Sequence, residues 1–388
     1  MGRQTGLYVR TTHGGEEVRA FVPHPLPPAT PPLDLSGPVA NRLRPAEEAL
    51  RRLDLAGDMV PSLDWFIYAF VRKEAVVSSQ IEGTQATLVD LLSFEAEAAE
   101  TSPSADVQEV CNYLAAMKLA RDHLASPTGL PLSLRLLNEV HGRLLAGVRG
   151  ANKGPGEVRQ SQNWIGGSRP GNAIYVPPPP QELPRLLGDL ERYLHADDTL
   201  PPLVRAGLAH VQFETIHPYL DGNGRVGRLL IALLLEHWGL VRRPLLYLSL
   251  FFKRHRAEYY RRLNAVRQEG DWEGWLDFFL DGVATIAEEA VTTARDLFGR
   301  VNDDRYRLLG YEGASIATLR LFETLPRHPV VTVASAMRTT GVARPTAGKA
   351  IDTLVAAGIL VETTGKRRDR SFSYDRYLAR LREGTDLG

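Results

Sequence analysis

Cysteine is almost missing from this chain of 388 residues, where Cys111 stands alone. A single thiol excludes an intramolecular disulfide framework and a thiolate-held metal, and the expected setting is a reducing cytoplasm. Net charge is missing too. With 46 basic and 46 acidic residues, no global field draws the chain to nucleic acid or to a membrane, so any basic patch must be local. The longest strongly apolar run, LLIALLL (229–235), is far short of the ~20 residues that a membrane span needs. The opening MGRQTGLYVRTTHGGEEVRAF has no apolar core of signal-peptide type, and no membrane partner is expected. No internal repeat or low-complexity tract stands out. What is there, at 44% hydrophobic and 24% charged, is an ordinary globular composition with length for two or three domains.

Residues 22–38 hold seven prolines and cannot form a helix or a central strand, so they are expected to run extended. From about residue 40 the pattern turns helical. Leu63, Phe66, Ile67, Phe70, Val71, Val77 and Ile81 recur at helical spacing, with Ser62 placed to cap the start and Gly83 to close the end. Further helices are expected at about 86–98, 105–125, 131–148, 181–196, 200–215, 225–238, 251–269 and 271–299. Between them, GEVRQSQNWIGGSRPGNAIYVPPPP (156–180) is rich in Gly, Pro and Asn and reads as a β-hairpin or flap. The composition changes around 300–314, after which a small separate domain is expected.

The densest chemistry lies in HPYLDGNGRVGRLLIALLL (217–235). Asn-Gly between alternating strands is a hairpin signal. Here Val226, Leu229, Leu230, Leu233 and Leu234 are spaced for one face of a helix, so a loop running into a helix amino terminus fits better. Unpaired N–H groups and the positive end of the helix dipole there form a site for anions. Gly222 and Gly224 allow close backbone approach, and Arg225 and Arg228, three apart, suggest a polyphosphate. Asp221 is a hard oxygen ligand suited to Mg²⁺ bridging such phosphates, and His217 suits a general base near neutral pH.

This stretch resembles the signature of the Fic (Fido) family, H-x-F-x-[D/E]-G-N-G-R-x-x-R. His217, Asp221, Gly222, Asn223, Gly224, Arg225 and Arg228 fall on it, and Tyr219 replaces the Phe. The proline-rich leader, the helix ending in SSQIEG, the flap RQSQNWIGG and the small final domain also look like multidomain bacterial members. The resemblance implies a mainly α fold, a helical Fic core with a β-hairpin flap plus a small carboxy-terminal winged-helix domain. It implies AMP transfer from ATP, with Mg²⁺, to a Ser, Thr or Tyr hydroxyl of a target protein and possibly of the chain itself. His217 would take the hydroxyl proton, Asp221 would hold Mg²⁺, and Gly222, Asn223, Gly224 and Arg225 would line the anion hole. Val226 and Gly227 would also belong to the ATP site, and Arg228 would meet the γ-phosphate. The family's kinase-like branch has Lys where this chain has Gly224, which favours nucleotide transfer.

Further roles follow from the same resemblance. Ser78, Glu82 and Gly83 match the inhibitory pattern [S/T]-x-x-x-E-[G/N], so Glu82 would pair with Arg228 in place of the γ-phosphate. In the flap, Ile165, Gly166, Gly167 and Ser168 would touch nucleotide or target. Tyr259 and Tyr260 fall where the family places adenine-side contacts, with core packing as the alternative for either ring. The expected organisation is an arm and helices over 1–100, including the inhibitory helix at about 63–83, a catalytic core over 105–298 and a winged helix-turn-helix over 314–388. A homodimer is also implied.

In that last segment two short helices flank TTGVARP, and GILVETTGKRRDRSFSY reads as a β-hairpin with Lys366, Arg367, Arg368 and Arg370 at its tip. DNA binding and protein docking or dimerisation are both open for it. The rival class to an enzyme is a DNA-binding regulator whose core only senses nucleotide. Within the enzyme class, another nucleotide or phosphocholine donor, or removal of AMP, is possible.

Overall fold

A computed structural model describes residues 3–58, 63–97 and 102–387, and Ser62 lies outside them. In chain order the elements begin with β1 (Gly6–His13), β2 (Glu16–Pro23), α1 (Gly37–Asp58), α2 (Leu63–Ile81), α3 (Leu88–Glu97) and α4 (Ala105–Ala125). Then follow α5 (Leu134–Leu144), α6 (Leu183–His195), α7 (Pro202–Ile216), α8 (Asn223–His237), α9 (Ser249–Arg254), α10 (Arg256–Glu269) and α11 (Trp272–Leu309). The chain finishes with α12 (Ile316–Thr324), β3 (Val330–Thr332), α13 (Val333–Thr340), α14 (Arg344–Ala356), β4 (Val361–Glu362), β5 (Ser371–Ser373) and α15 (Asp375–Leu381). Helices dominate, as expected. Among the described residues no helix is long and apolar enough to cross a membrane. The chain divides into two compact units, Met1–Arg52 with Asn112–Ala287, and Leu53–Cys111 with Glu288–Gly388.

The first unit opens on two strands that are absent from the expected elements. β1 and β2 form an antiparallel hairpin, His13 facing Glu16 across Gly14-Gly15, which adopt φ of 59° and 83°. Two glycines at positive φ are what a two-residue hairpin loop requires, so HGGE carried a usable signal. The proline-rich stretch then runs without regular structure to α1, apart from an isolated bridge between Ala29 and Pro32.

The centre of this unit is α7, buried from Leu203 through Ile216 and packed against α8. α8 turns Leu229, Leu230, Leu233 and Leu234 inward, each at most 2% exposed, and each such burial is worth about 1.5–3 kcal/mol. α11 closes on α7 through Gly207, where an added Cβ would lie 3.0 Å from the Phe279 ring, and Trp275 Nε1 donates to Gly207 O at 3.0 Å.

Three local expectations change. The span 251–269 is two helices, broken at His255 (φ −112°, ψ 36°). The flap over 156–180 is not a full hairpin: a single antiparallel bridge joins Ile165 to Tyr175, around a tight helical turn at Pro170–Asn172. The polar-looking 300–309 continues α11, because Val301, Asp304 and Leu308 form a buried stripe and Asp304 accepts from Tyr374 Oη at 2.7 Å.

In the second unit, α2 ends in a Schellman arrangement. Thr84 N–H donates to Ser79 O (3.2 Å) and Gly83 N–H to Gln80 O (3.0 Å), with Gly83 at φ 95°. The carboxy-terminal helices α12, α13 and α14 pack with a three-stranded sheet of order β3-β5-β4, in which Phe372 lies opposite both Val331 and Glu362. The tail beyond α15 returns to α2. Lys73 Nζ donates to Glu383 O at 2.7 Å, Gln80 Nε2 donates to Thr385 O at 2.9 Å, and Thr385 is buried.

Candidate active site

His217 terminates α7 in the left-handed region, at φ 50° and ψ 62°, its N–H donating to Phe213 O at 2.9 Å. For a side chain this conformation costs about 1–2 kcal/mol, so the surroundings must hold it. The residue is half-buried, its Nδ1 is enclosed, and the Glu214 backbone carbonyl acts on the ring. Burial pushes the imidazole down to about 3, with the nearby guanidinium groups of Arg159 and Arg267 acting in the same direction. The ring is therefore neutral at physiological pH, the form that accepts a proton.

The loop after His217 is fixed by its own residues. Asn223 Oδ1 accepts from Tyr219 N–H (2.9 Å) while Asn223 Nδ2 donates to Tyr219 O (2.8 Å), a reciprocal pair on one residue's backbone. The Asn223 side chain, expected to line an anion hole, is thus committed to the loop and 2% exposed. Tyr219 stacks on His141, ring centroids 3.8 Å apart, and its hydroxyl donates to Asn138 Oδ1 at 2.8 Å. His141 accepts from Gly156 N–H at Nδ1 (2.9 Å), so the proton lies on Nε2 and is donated to Asp221 O (3.0 Å). Burial lowers this histidine to about 4.

Gly222, at φ 77°, is the residue before α8, and the first intrahelical bond runs from Val226 N–H to Gly222 O at 3.1 Å. The N–H groups of Asn223 and Gly224 precede that bond, which leaves the dipole's positive end at Gly224, a half-buried position. The loop-to-helix reading of DGNGR is what the backbone adopts.

The Asp221 side chain is 38% exposed, and its Oδ1 accepts from Gly222 N–H at 2.6 Å with Arg225 Nη2 at 3.7 Å. Its Oδ2 faces Gly150, where an added Cβ would come within 2.9 Å. Among the described residues no group of three His, Cys, Asp or Glu could cage a metal. Mg²⁺ bound mainly by substrate phosphates needs only one or two carboxylates, so Asp221 fits that mode.

The remaining expected residues fall in several places. Arg225 and Arg228 are buried, 1% and 3% exposed, rather than displayed on the helix surface. Val226 is in the core, and Gly227 permits α7 and α8 to approach, since a Cβ there would lie 2.4 Å from Glu214 Oε1. Ile165 holds the flap bridge, while Gly166, Gly167 and Ser168 form its exposed tip. Tyr259, expected at an adenine, is a core residue instead. It is 1% exposed, stacks on Phe252 (4.5 Å) and donates its hydroxyl to His210 Nε2 (2.8 Å). Its polar end is already used by His210, whose Nδ1 donates to Gly227 O at 3.0 Å. Tyr260 remains 41% exposed. Ser78 is buried on α2, Glu82 is half-buried just beyond it, and Gly83 closes that helix.

Arg159, His141 and His210 were not anticipated. Each works by bonding to a main-chain group near the motif, and a residue spent on backbone has no fixed spacing in sequence.

Comparison with known proteins agrees with this geometry. Residues 40–122 match the family model described as Fic/DOC family N-terminal, and residues 131–235 match that of the Fic/DOC family. The chain is 30% identical over 306 residues to a protein adenylyltransferase Fic from Culex quinquefasciatus, covering 71% of this chain and 58% of the relative. It is 31% identical over 261 residues to a protein of the same name from Drosophila melanogaster, covering 63% and 49%. The chain thus spans half to three fifths of the length of these curated relatives. Among solved structures, a Fic family protein from Desulfovibrio desulfuricans G20 superposes with TM-score 0.57 at 21% identity, covering 88% of this chain and 97% of that one. A Fic domain containing signaling protein from Bacteroides thetaiotaomicron gives 0.52 at 17%, covering 66% and 97%. These two likenesses concern the fold.

Proposed function

Because residues 131–235, with 40–122 ahead of them, belong to the Fic/DOC family, we propose that this chain is a protein adenylyltransferase moving AMP from ATP to a Ser, Thr or Tyr hydroxyl of a target protein. The observation that carries the proposal is the α7–α8 junction. Within it a neutral histidine, a partly exposed carboxylate and an open helix amino terminus lie along eight residues, His217 to Gly224. In this reading the target hydroxyl oxygen attacks the α-phosphorus of ATP, its proton passes to His217, and the bond to the β-phosphate oxygen breaks to release pyrophosphate. The Asn223 and Gly224 N–H groups face the developing phosphate charge, with Arg225 and Arg228 as its cationic surroundings. Asp221 is the residue that would hold Mg²⁺, which supplies charge neutralisation at the phosphates when bound.

The finer parts of the proposal rest on the motif. Glu82, at the end of α2, restrains the enzyme by competing for Arg228 with the γ-phosphate. Gly166, Gly167 and Ser168 offer an edge for target backbone, and Tyr260, 41% exposed, is the proposed contact for the nucleotide's base. A cytoplasmic homodimer is the proposed state. Incubation of the purified protein with labelled ATP and Mg²⁺ tests the core of this. The Glu82→Gly variant is expected to incorporate more AMP than the parent, and His217→Ala to abolish incorporation in both backgrounds. Equal labelling of parent and Glu82→Gly removes the switch, and activity retained without His217 removes the base.

A second reading concerns the carboxy-terminal helices and sheet as a winged helix-turn-helix that binds DNA. It is favoured by the exposed Lys366, Arg367, Arg368 and Arg370 on the loop between β4 and β5, close in the fold to α14. A duplex shift that weakens steeply with salt is expected; no shift at low salt leaves that loop a solvated tip.

A further inference from the structure

A buried guanidinium ordinarily meets a carboxylate, because an uncompensated buried charge is costly. Arg159 does not follow that pattern. It is 3% exposed, and among the described residues its side chain bonds only to backbone carbonyls. Nε donates to His217 O at 2.9 Å, Nη1 to Ser161 O at 3.0 Å and Nη2 to Pro178 O at 2.6 Å, and the residue's own N–H donates to Pro218 O at 2.9 Å. One residue therefore grips two consecutive carbonyls of the turn after α7 and, with the same fork, both ends of the flap segment.

The turn it grips is the strained one. His217 is one of two non-glycine residues at positive φ among those described, and a left-handed side chain persists only where its surroundings over-determine it. On the N–H side α7 supplies the bond to Phe213 O; on the C=O side Arg159 supplies the other. Neighbouring bonds stitch the flap to the same junction. Tyr175 Oη donates to Thr215 O at 2.6 Å and Asn163 Nδ2 to Tyr219 O at 3.3 Å, while within the flap Gln162 Nε2 donates to Pro177 O at 2.8 Å. Of these contacts, only Arg159 touches His217 itself.

Resting on the reading of His217 as the base, we propose that Arg159 is the positioning residue of this site, a guanidinium clasp that holds the His217–Pro218 turn against the flap and so sets where the imidazole stands when it takes the proton. A planar fork with fixed donor directions can span Ser161, Pro178 and His217 together, whereas an ammonium is a point donor on a flexible stem. The charge has a second effect. The groups acting on the imidazole are Arg159 from the flap, Arg267 from α10 and the Glu214 peptide from α7; both arginines favour its neutral form and the peptide opposes them.

The test uses Arg159→Gln and Arg159→Lys in the full chain, with and without Glu82→Gly. Two readouts are taken: kcat and KM for ATP in AMP labelling, and the titration of the His217 ring followed by NMR, which needs no activity. A displaced base predicts a kcat lower by about 10²-fold in Arg159→Gln with KM for ATP unchanged, together with a His217 titration moved to higher pH. Arg159→Lys keeps the cation and loses the fork, so it is expected to return the titration towards the parent but not kcat. If the Gln variant does not fold, the Lys variant carries the same decision. Parent-like kcat in Arg159→Lys, or a parent-like kcat and titration in Arg159→Gln, overturns the clasp. Should the parent and Glu82→Gly transfer no AMP at all, the enzyme reading fails while the NMR titration still decides whether Arg159 governs His217.

Discussion

His141, His210 and His217 enter the folded state uncharged, lowered chiefly by burial to about 4, 3 and 3. Each lies below the value of roughly 6.5 expected of an unfolded histidine. The unfolded chain therefore binds protons first as the pH falls. The stability these residues contribute is present above about pH 6.5 and is lost from there down towards their folded values. Each adds a slope of at most about 1.4 kcal/mol per pH unit. Urea midpoints measured from pH 7.5 to pH 5 are expected to fall steadily, and His210→Gln to remove one proton's share of that slope while lowering stability at pH 7.5. A midpoint flat across this range contradicts the buried neutral rings. The three differ in legibility. His217 stands in a fixed pattern with Asp221 and Arg225, whereas His141 and His210 serve single carbonyls, at Asp221 and Gly227, that no spacing reveals.

α8 was legible because its leucines repeat at helical spacing and its start is marked by glycine, whereas the flap was only half legible. Gly166 and Gly167 announce a turn, yet whether full strands flank it depends on partners elsewhere. Here only Ile165 and Tyr175 pair, and the support comes from β2, where Phe21 N–H donates to Val176 O at 2.9 Å. The extension of α11 past residue 300 was hidden for a related reason, since a stripe of Val301, Asp304 and Leu308 looks polar until Tyr374 meets Asp304. Between α5 and the flap lies the turn at Gly150 (φ 89°), where an added Cβ would come within 2.9 Å of Asp221 Oδ2. Gly150→Ala is therefore expected to strain that turn and displace the carboxylate, raising the Mg²⁺ concentration for half-maximal labelling while leaving α8 intact by circular dichroism. An unchanged Mg²⁺ dependence separates Asp221 from the metal. Asn223→Ala breaks both bonds to the Tyr219 backbone, and a loss of about 1–3 kcal/mol in urea unfolding is expected.

In the second unit the tail fastens the end of α2, with Gln80 Nε2 bonded to both Ala86 O and Thr385 O at 2.9 Å. Removing residues 383–387 is expected to speed amide exchange at Gly83 and Thr84, where α2 closes. If Glu82 restrains the enzyme, the same deletion alters AMP labelling in the parent and not in Glu82→Gly; identical effects in both place the tail outside the switch. Linkage then works in both directions. If Glu82 restrains the enzyme and a ligand of the carboxy-terminal helices loosens the tail, that ligand eases ATP into its productive pose, and ATP tightens the ligand by the same factor. If that ligand is a DNA duplex, its affinity measured with and without a non-hydrolysable ATP analogue reports on the far end of α2 without any chemistry taking place.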